Sequence, residues 1–412
     1  MAGRADAASA PPPGAHETEA TLREVIETLA PLERRAGSDG ERRAADWIAQ
    51  RLRDAGCEAR VEEEQFYDGY ARVMSTLSIA GGLAGVAALV SRRARPVTAA
   101  VAGAVVAAIA DDVSNGPRLF RRAATRARTT WNVVGDVGAP DAPRTLVLLA
   151  HHDAAPTGKI FDETLQRWWG ETFPGTIERV DTSLPFWWAL MSGPGMVALG
   201  SLRGRRGLSA AGLAGSVVGT AVLEDIARSP IVPGANDNLT AVAVLVALAE
   251  RLRAAPIEGL RVVLASCGAE EVIQGGIYGF ARRHFPGLDR ERTWFINLET
   301  LGSPRLIMLE GEGAVVMEDY HHRAFRDLIA RVADRAGAHM RRGMRSRNST
   351  DAVIPSRAGY PTATLASMNR YKQLSNYHLM TDTPENVDYR TVRQALMVTE
   401  AVARELASNP WV

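Results

Sequence analysis

The chain is poor in cysteine, with only Cys57 and Cys267 among its 412 residues. Two thiols are too few for a disulfide framework or a thiolate metal site. The chain also has no large excess of charge of either sign, because 48 Lys and Arg nearly balance 47 Asp and Glu. This balance predicts no basic surface for nucleic acid. The composition is that of a folded protein of one large domain or two ordinary ones.

An export signal is not visible at the start of the sequence. Residues 1–16 are rich in Ala and Pro and contain no apolar run of the kind that a secretory signal has. We predict a disordered tail over residues 1–16. The expected location is cytoplasmic or membrane-associated.

Four long runs are free of charge, in two pairs. Each pair is joined by an arginine-rich turn, SRRAR in the first and RGRRG in the second. We predict two inserted helical hairpins, within residues 73–127 and 154–230. The runs measure from about 15 to 19 residues, close to the roughly 20 that span a bilayer. Two arrangements are therefore possible. The hairpins pack together as a helical subdomain over the active site, and residues 73–110 and 184–223 either contact a membrane or do not.

In the remainder of the chain, short β-branched runs alternate with amphipathic ones. This alternation predicts an α/β domain over residues 17–72 and 128–412, with a mostly parallel mixed central sheet and helices on both faces. Helices are predicted at residues 238–254, 320–336 and 388–407. The predicted strands are Val61–Tyr67, Trp131–Val137, Thr145–Ala150, Arg261–Ser266, Thr293–Leu298, Leu306–Leu309 and Thr362–Ala366.

Candidate metal ligands follow three of these strands. His151 follows the predicted strand Thr145–Ala150, the pair Glu270-Glu271 follows Arg261–Ser266, and Glu299 follows Thr293–Leu298. In parallel sheets, ligands gather at the carboxyl ends of the strands. Asp237 before a helix and His378 in a loop complete a set of imidazoles and carboxylates that suits zinc or a related divalent ion. Taken alone, a residue of each of these types is more often structural than metal-binding. The prediction of a metal site therefore depends on the whole set.

The order of these motifs resembles that of the peptidase M28 family. The shared motifs are His-x-Asp after a strand, Gly-Ala-x-Asp-Asn before a helix, Glu-Glu followed by Gly, Asn-Leu-acid at a strand end, and Asn-Tyr-His before Asp-Thr. The resemblance covers roughly residues 128–408, apart from the second insertion. It implies two divalent metal ions, with zinc expected. One ion would be held by His151, Asp237 and Glu299, and the other by Asp237, Glu271 and His378.

The resemblance also implies a reaction. Glu270 would act as general base on a water bridging the two metals, and Asp153 would orient His151. The expected activity is hydrolysis of peptide bonds, first of all as an aminopeptidase acting on a peptide or aminoacyl substrate. Two alternatives remain: a glutaminyl-cyclase-like aminoacyltransferase with one zinc, and a non-catalytic receptor-like protein on the same fold.

Three features depart from the family pattern or leave a choice. Glu299 stands where the family commonly has Asp. The usual Ser-Asp-His segment is Ser349-Thr350-Asp351-Ala352 here, without its histidine. His151 and His152 are adjacent, and the one-residue spacing to Asp153 favours His151 as the ligand.

Overall fold

The structure is a computed structural model that describes residues 15–408. The predicted tail over residues 1–16 lies almost wholly outside them. The helices are α1 Ala15–Leu29, α2 Asp39–Asp54, α3 Tyr70–Val90, α4 Arg95–Val113, α5 Leu119–Ala124, α6 Thr164–Thr172, α7 Pro174–Glu178, α8 Phe186–Arg203, α9 Arg206–Arg228, α10 Thr240–Ala254, α11 Gly276–His284, α12 Arg323–Arg335, α13 Val353–Arg357 and α14 Tyr389–Ser408. The strands are β1 Glu58–Tyr67, β2 Ala127–Val137, β3 Arg144–His151, β4 Leu260–Cys267, β5 Thr293–Glu299, β6 Arg305–Glu312, β7 Glu318–Asp319, β8 Arg341–Ser346 and β9 Thr362–Met368.

The nine strands form one mixed sheet in the order β1-β2-β4-β3-β5-β9-β6-β7, with β8 paired to β6. The four central strands, β4, β3, β5 and β9, run parallel to one another. The pairs β1/β2, β2/β4, β6/β9 and β6/β7 are antiparallel. The predicted α/β fold with helices around a mixed sheet is confirmed. All four central strands end at the same edge, so the residues that follow them lie together.

Side chains of the central strands alternate between two cores. Leu146 and Leu148 of β3 belong to a large core with α1, α2, α10 and α14. Val147 and Leu149 face the other side, in a core with Phe280 of α11. A strand buried on both faces reads as a continuous apolar run, which is why β3 could be recognised in the sequence.

Helices α3, α4, α8 and α9 pack against one another as a four-helix bundle. The turns of both hairpins meet at one end, where the Arg206 side chain donates to the carbonyl of Leu89 at 2.7 Å. At the other end, Ser75 Oγ donates to Glu224 Oε1 at 2.6 Å. By length and composition, α3, α4 and α9 could each cross a membrane.

Two features of the catalytic domain differ from the sequence-based predictions. Strands β7 and β8 were not predicted, because one has two residues and the other, RRGMRS, is polar and at the sheet edge. The predicted helix 320–336 begins only at Arg323. His321 and His322 therefore precede the helix rather than lie on it. The His321 N–H donates to Ser356 Oγ, and the backbone of His322 is extended.

A buried ion pair joins the base of the bundle to the catalytic domain. The Arg121 guanidinium is fully buried and pairs with both carboxylate oxygens of Asp112 at 2.6 and 3.0 Å. Its remaining N–H groups donate to the carbonyl oxygens of Val272, at 2.5 Å, and Tyr67, at 3.2 Å. Arg121 thus holds the segment after Glu270-Glu271 against the first insertion.

Replacing Arg121 with Met should lower the free energy of unfolding by about 3–5 kcal/mol, because the Asp112 carboxylate would stay buried without its partner. Thermal unfolding followed by tryptophan fluorescence measures this change. The neighbouring Arg122 is exposed, so Arg122→Met serves as the control and should change stability little. Equal stability of the two variants would contradict the assigned role of Arg121.

Candidate metal centre

Five predicted ligands converge at the carboxyl edge of the central sheet. His151 is the last residue of β3, and Glu299 is the last of β5. Glu271 follows β4 after a short loop, and Asp237 lies in the segment Ala235–Leu239 that leads into α10. His378 reaches the same place from the loop after β9. All five side chains are buried or nearly so.

Asp237 stands between the two histidines. Its Oδ1 is 3.3 Å from His151 Nε2, and its Oδ2 is 3.5 Å from His378 Nε2. His151 Nε2 is also 3.4 Å from Glu299 Oε1, and His378 Nε2 is 3.2 Å from Glu271 Oε2. The five side chains thus form two groups, each with one imidazole and two carboxylates, that share Asp237.

The spacing of these atoms fits zinc. Zn–N and Zn–O bonds of about 2.0–2.1 Å in a tetrahedral site place neighbouring ligand atoms roughly 3.3 Å apart. The observed separations of 3.2–3.5 Å match this value. Among the described residues, both ring nitrogens of His378 and Oε1 of Glu271 are buried without a hydrogen-bond partner. Unpaired buried polar atoms of this kind are what a cation would satisfy.

The carboxylates of the cluster act strongly on its two imidazoles. Burial acts to lower the pKa of His378, but the nearby Glu271 and Asp237 outweigh it and raise that pKa to about 10. The pKa of His151 shifts in the same direction. Burial acts to lower it, but Glu299 and the other neighbouring carboxylates raise it well above the usual range. The carboxylates of the cluster thus favour the protonated form of both imidazoles. Binding of a cation needs the neutral imidazole and would release such protons.

Glu270 faces the cluster without belonging to either group. Its Oε2 is 3.9 Å from His151 Nε2, and its Oε1 accepts a 2.8 Å hydrogen bond from Gln274 Nε2. Burial raises the pKa of Glu270 well above its ordinary value. A carboxylate with a raised pKa, placed beside a metal site, has the properties of a general base.

The orientation of Glu270 and Glu271 depends on backbone contacts of the loop that carries them. Asp153 Oδ1 accepts from the N–H of Glu270 and Oδ2 from the N–H of Glu271, both at 3.0 Å. Oδ1 of Asp153 also lies 3.4 Å from Nδ1 of His151. One buried carboxylate therefore positions two acids and one histidine. Asp153 acts through other residues and is a positioning residue.

Two buried side chains that the sequence analysis did not single out support the ligands. The Arg34 guanidinium donates to the carbonyls of His152, at 2.9 Å, and Pro233, at 2.7 Å. Asp382 accepts from the backbone N–H of Asn236, at 2.7 Å, and Asp237, at 3.1 Å. Asp382 was visible in the sequence as the Asp after Asn-Tyr-His, whereas Arg34 carries no local signal.

The structure also shows where two uncertain parts of the sequence lie, namely His152 and the segment with Asp351 and Ala352. His152 points away from the cluster, with Nδ1 2.9 Å from Ser266 Oγ, and burial lowers its pKa to about 4. Asp351 is buried near His151, and burial raises its pKa to about 8. Ala352, where the family has a histidine, packs in an apolar cluster with Ile307 and Tyr320.

A cavity of about 490 Å³ opens beside the cluster. The bases of the four bundle helices form one side of it, through Tyr70, Val113, Trp187 and Ile226. Its other side includes Phe161 and Tyr377, and its carboxylates are Glu163, Glu270 and Glu271. Within residues 15–408, the side chains that line the cavity are mainly apolar and include acidic groups but no Lys or Arg.

Gln274 links Glu270 to the first insertion. Its Nε2 also donates to the carbonyl of Ser349, at 2.5 Å, and its Oε1 accepts from Ser349 Oγ at 3.0 Å. Asn115, at the end of the first hairpin, donates to Ser349 Oγ. The hydrogen bond from Gln274 stabilises the charged form of Glu270.

Gln274→Met should therefore raise the pKa of Glu270 further, because the lost donor favoured the carboxylate. A hydrogen bond to a charged group contributes about 1.5–3 kcal/mol. The acidic limb of the kcat/KM profile should accordingly move to higher pH by about one unit or more. Ser349→Ala, which leaves Glu270 its donor, is the control. An unmoved acidic limb in Gln274→Met would contradict this positioning role.

Comparison with known proteins relates part of the chain to a family of peptidases. Residues 218–403 match the sequence model of Peptidase family M28. That segment contains Asp237, Glu270, Glu271, Glu299 and His378, but not His151. No curated protein sequence matches the chain.

Solved structures of similar fold include both peptidases and cyclases. A leucine aminopeptidase precursor from Bacteroides thetaiotaomicron is 12% identical, with a TM-score of 0.55 over 94% of this chain and 96% of that one. A glutaminyl cyclase from the same species is 12% identical, with a TM-score of 0.56 over 94% and 97%. An aminopeptidase from Aneurinibacillus sp. strain AM-1 is 14% identical, with a TM-score of 0.53 over 94% of each chain. These likenesses concern the fold. The relation to a family rests on the sequence match, which relates residues 218–403 of this chain to peptidase family M28.

Proposed function

We propose that the protein is a two-zinc aminopeptidase. The observation that carries this proposal is the division of the acidic cluster into two groups sharing Asp237, with Glu270 beside them on the wall of the cavity. His151, Asp237 and Glu299 would hold one ion, and Asp237, Glu271 and His378 the other. Bound there, two divalent ions lower the pKa of a water and polarise the carbonyl of the scissile bond.

Within this site, Glu270 takes the proton from the attacking water and passes it to the departing amine. The hydrogen bond from Gln274 keeps one oxygen of Glu270 fixed, so the other stays directed at the cluster. Asp153 holds the backbone of Glu270 in place during both transfers. The products are an amino acid and a shortened peptide, or an amine from an aminoacyl substrate.

The cavity favours cleavage at the amino terminus of a peptide. Its volume of about 490 Å³ is that of a small-ligand pocket, suited to one or two residues. Glu270 and Glu271 on its wall make it attractive to a cationic amino group. Among the described residues, Lys372 and Arg345 line the adjoining cavity and not this one. Its apolar lining suits a hydrophobic side chain.

A screen of aminoacyl-p-nitroanilides and dipeptides tests this proposal. We expect release of the amine, loss of activity with a chelator and recovery on adding zinc. A glutaminyl-cyclase-like activity is the second candidate, because cyclases have the same fold. An amino-terminal glutaminyl peptide belongs in the same screen for this reason. Cyclisation of that peptide without any hydrolysis would overturn the peptidase proposal, and turnover of no substrate would favour the receptor-like alternative.

A further inference from the structure

The outer face of the four-helix bundle is apolar. On α3, the exposed residues Ile79, Leu83, Val86 and Val90 follow one another at intervals of three and four, so they form a single stripe. Val97 and Val101 on α4, and Val217 and Val218 on α9, are exposed in the same way. Large contiguous apolar surfaces of this kind mark a site of interaction in a folded protein.

Charged side chains are confined to the two ends of the bundle. Residues 73–91, 96–110, 184–202 and 207–223 contain no Asp, Glu, Lys or Arg. At the turn end, six arginines gather: Arg92, Arg93, Arg95, Arg203, Arg205 and Arg206. Arg95 and Arg206 each donate to a carbonyl of the opposite hairpin, which shows that both turns lie together. The apolar surface is therefore a band between two polar ends.

The height of that band approaches the thickness of a bilayer. At 1.5 Å per residue, the uncharged stretches 73–90 of α3, 96–110 of α4 and 207–223 of α9 extend over about 27, 22 and 26 Å, and the charged ends lengthen the helices to about 32, 29 and 35 Å. The hydrocarbon core of a membrane is about 30 Å thick. Helix α8 is shorter and contains Pro194 in its interior, and it packs against all three of the others. A protein partner would not require this agreement in length.

Packing inside the bundle is of the type found between helices in lipid. A Cβ at Gly212 would lie 2.6 Å from the Gly193 carbonyl oxygen, and one at Gly200 would lie 2.4 Å from Ser209 Oγ. The backbones of α8 and α9 thus approach closely through glycine. Thr98 Oγ1 donates to Ser201 Oγ at 2.9 Å, so these buried hydroxyl groups are paired within the bundle.

We infer that the bundle spans a lipid bilayer, with the arginine turns on the cytoplasmic side and the catalytic domain on the other. Arginine-rich loops are typical of the cytoplasmic side of membrane proteins. Since the bases of the same helices line the cavity, its bundle-side wall lies at the membrane surface. Phe186 and Trp187 at the start of α8 are at this level, where aromatic side chains anchor membrane helices.

Single-cysteine labelling of the full chain in bacterial spheroplasts tests the inference. The two native thiols are buried, which keeps background labelling low. A cysteine introduced by Arg323→Cys, on the exposed start of α12, should react with a membrane-impermeant maleimide in intact spheroplasts. One introduced by Arg93→Cys, in the first turn, should react only after lysis. Equal reactivity of the two positions, or the reverse order, would overturn the inference.

Flotation on vesicles of phosphatidylcholine and phosphatidylglycerol gives an independent test. The wild-type protein should float and resist an alkaline carbonate wash. Leu83→Glu with Val218→Glu, at positions 65% and 63% exposed, should reduce the floating fraction severalfold, whereas Met397→Glu on α14 should not. Thermal unfolding in detergent checks that each variant is folded. Recovery of the wild-type protein as a monodisperse species without detergent refutes the inference.

Discussion

Replacing Glu270 with Gln is expected to lower kcat by roughly 10² to 10⁴-fold, the usual contribution of a positioned general base. The amide has the same shape as the carboxylate and can still accept the hydrogen bond from Gln274. It cannot take a proton from water at neutral pH. Because Glu270 belongs to neither group of ligands, the bound metal should remain. Steady-state kinetics on an aminoacyl substrate and elemental analysis of the same sample measure the two quantities.

Glu385→Gln is the matched control for this experiment. Glu385 is fully exposed in the short helix Pro384–Asn386, a few residues after His378 in the chain. It should keep both its metal and its turnover. If Glu270→Gln lost its metal together with its activity, Glu270 would be a ligand rather than the base. Undiminished turnover would refute the mechanism altogether.

Asp237→Ala is expected to remove both metal ions, because Asp237 is the residue that the two groups share. Wild-type protein should contain two zinc ions per chain, and the variant close to none. Glu299→Ala and His378→Ala should each lose one ion, since each belongs to one group. Elemental analysis after dialysis against a weak chelator gives these numbers independently of any activity.

Asp334→Ala, an exposed acid on α12, should leave the metal content unchanged. One ion per chain in the wild-type protein, retained in Glu299→Ala, would instead indicate the single-zinc centre of a cyclase-like enzyme. The group that includes His151 and Glu299 is the one expected to be absent in that case. His151 lies outside the segment matched to the family, and Glu299 replaces the family's usual Asp.

The parts of the fold that the sequence predicted well are those with a strong local signal. β3 contains the continuous apolar run Leu146–Ala150 because both of its faces are covered, and α14 has a clear amphipathic period. β8 was missed because its sequence, RRGMRS, is that of a polar edge strand stabilised by pairing with β6. The helix start at Arg323 was misplaced because the extended backbone of His322 interrupts an otherwise helical pattern.

The residues of the candidate site differ in the same way, because some have a local sequence signal and others have none. Its five ligands and Glu270 could be proposed because each lies in a recognisable motif, after a strand, before a helix or in the Asn-Tyr-His loop. The residues that hold them could not be proposed in this way. Arg34 meets Pro233 and Gln274 meets Ser349, across 199 and 75 residues. A local sequence pattern cannot indicate contacts between residues so far apart in the chain. The acceptors are also backbone carbonyls, which every residue has.

Contacts at the base of the four-helix bundle limit how short an active fragment of this protein can be. Arg118 donates to the carbonyls of Ile273 and Gln274, and Arg121 donates to that of Val272. A fragment limited to the family-matched residues 218–403 would leave these carbonyl oxygens without donors, directly after the two acids. It would also lack β3, with His151, and the Asp153 carboxylate. A fragment that keeps the Glu270 loop intact therefore includes the first insertion as far as α5, and removing this insertion for easier handling would leave that loop without its arginine donors.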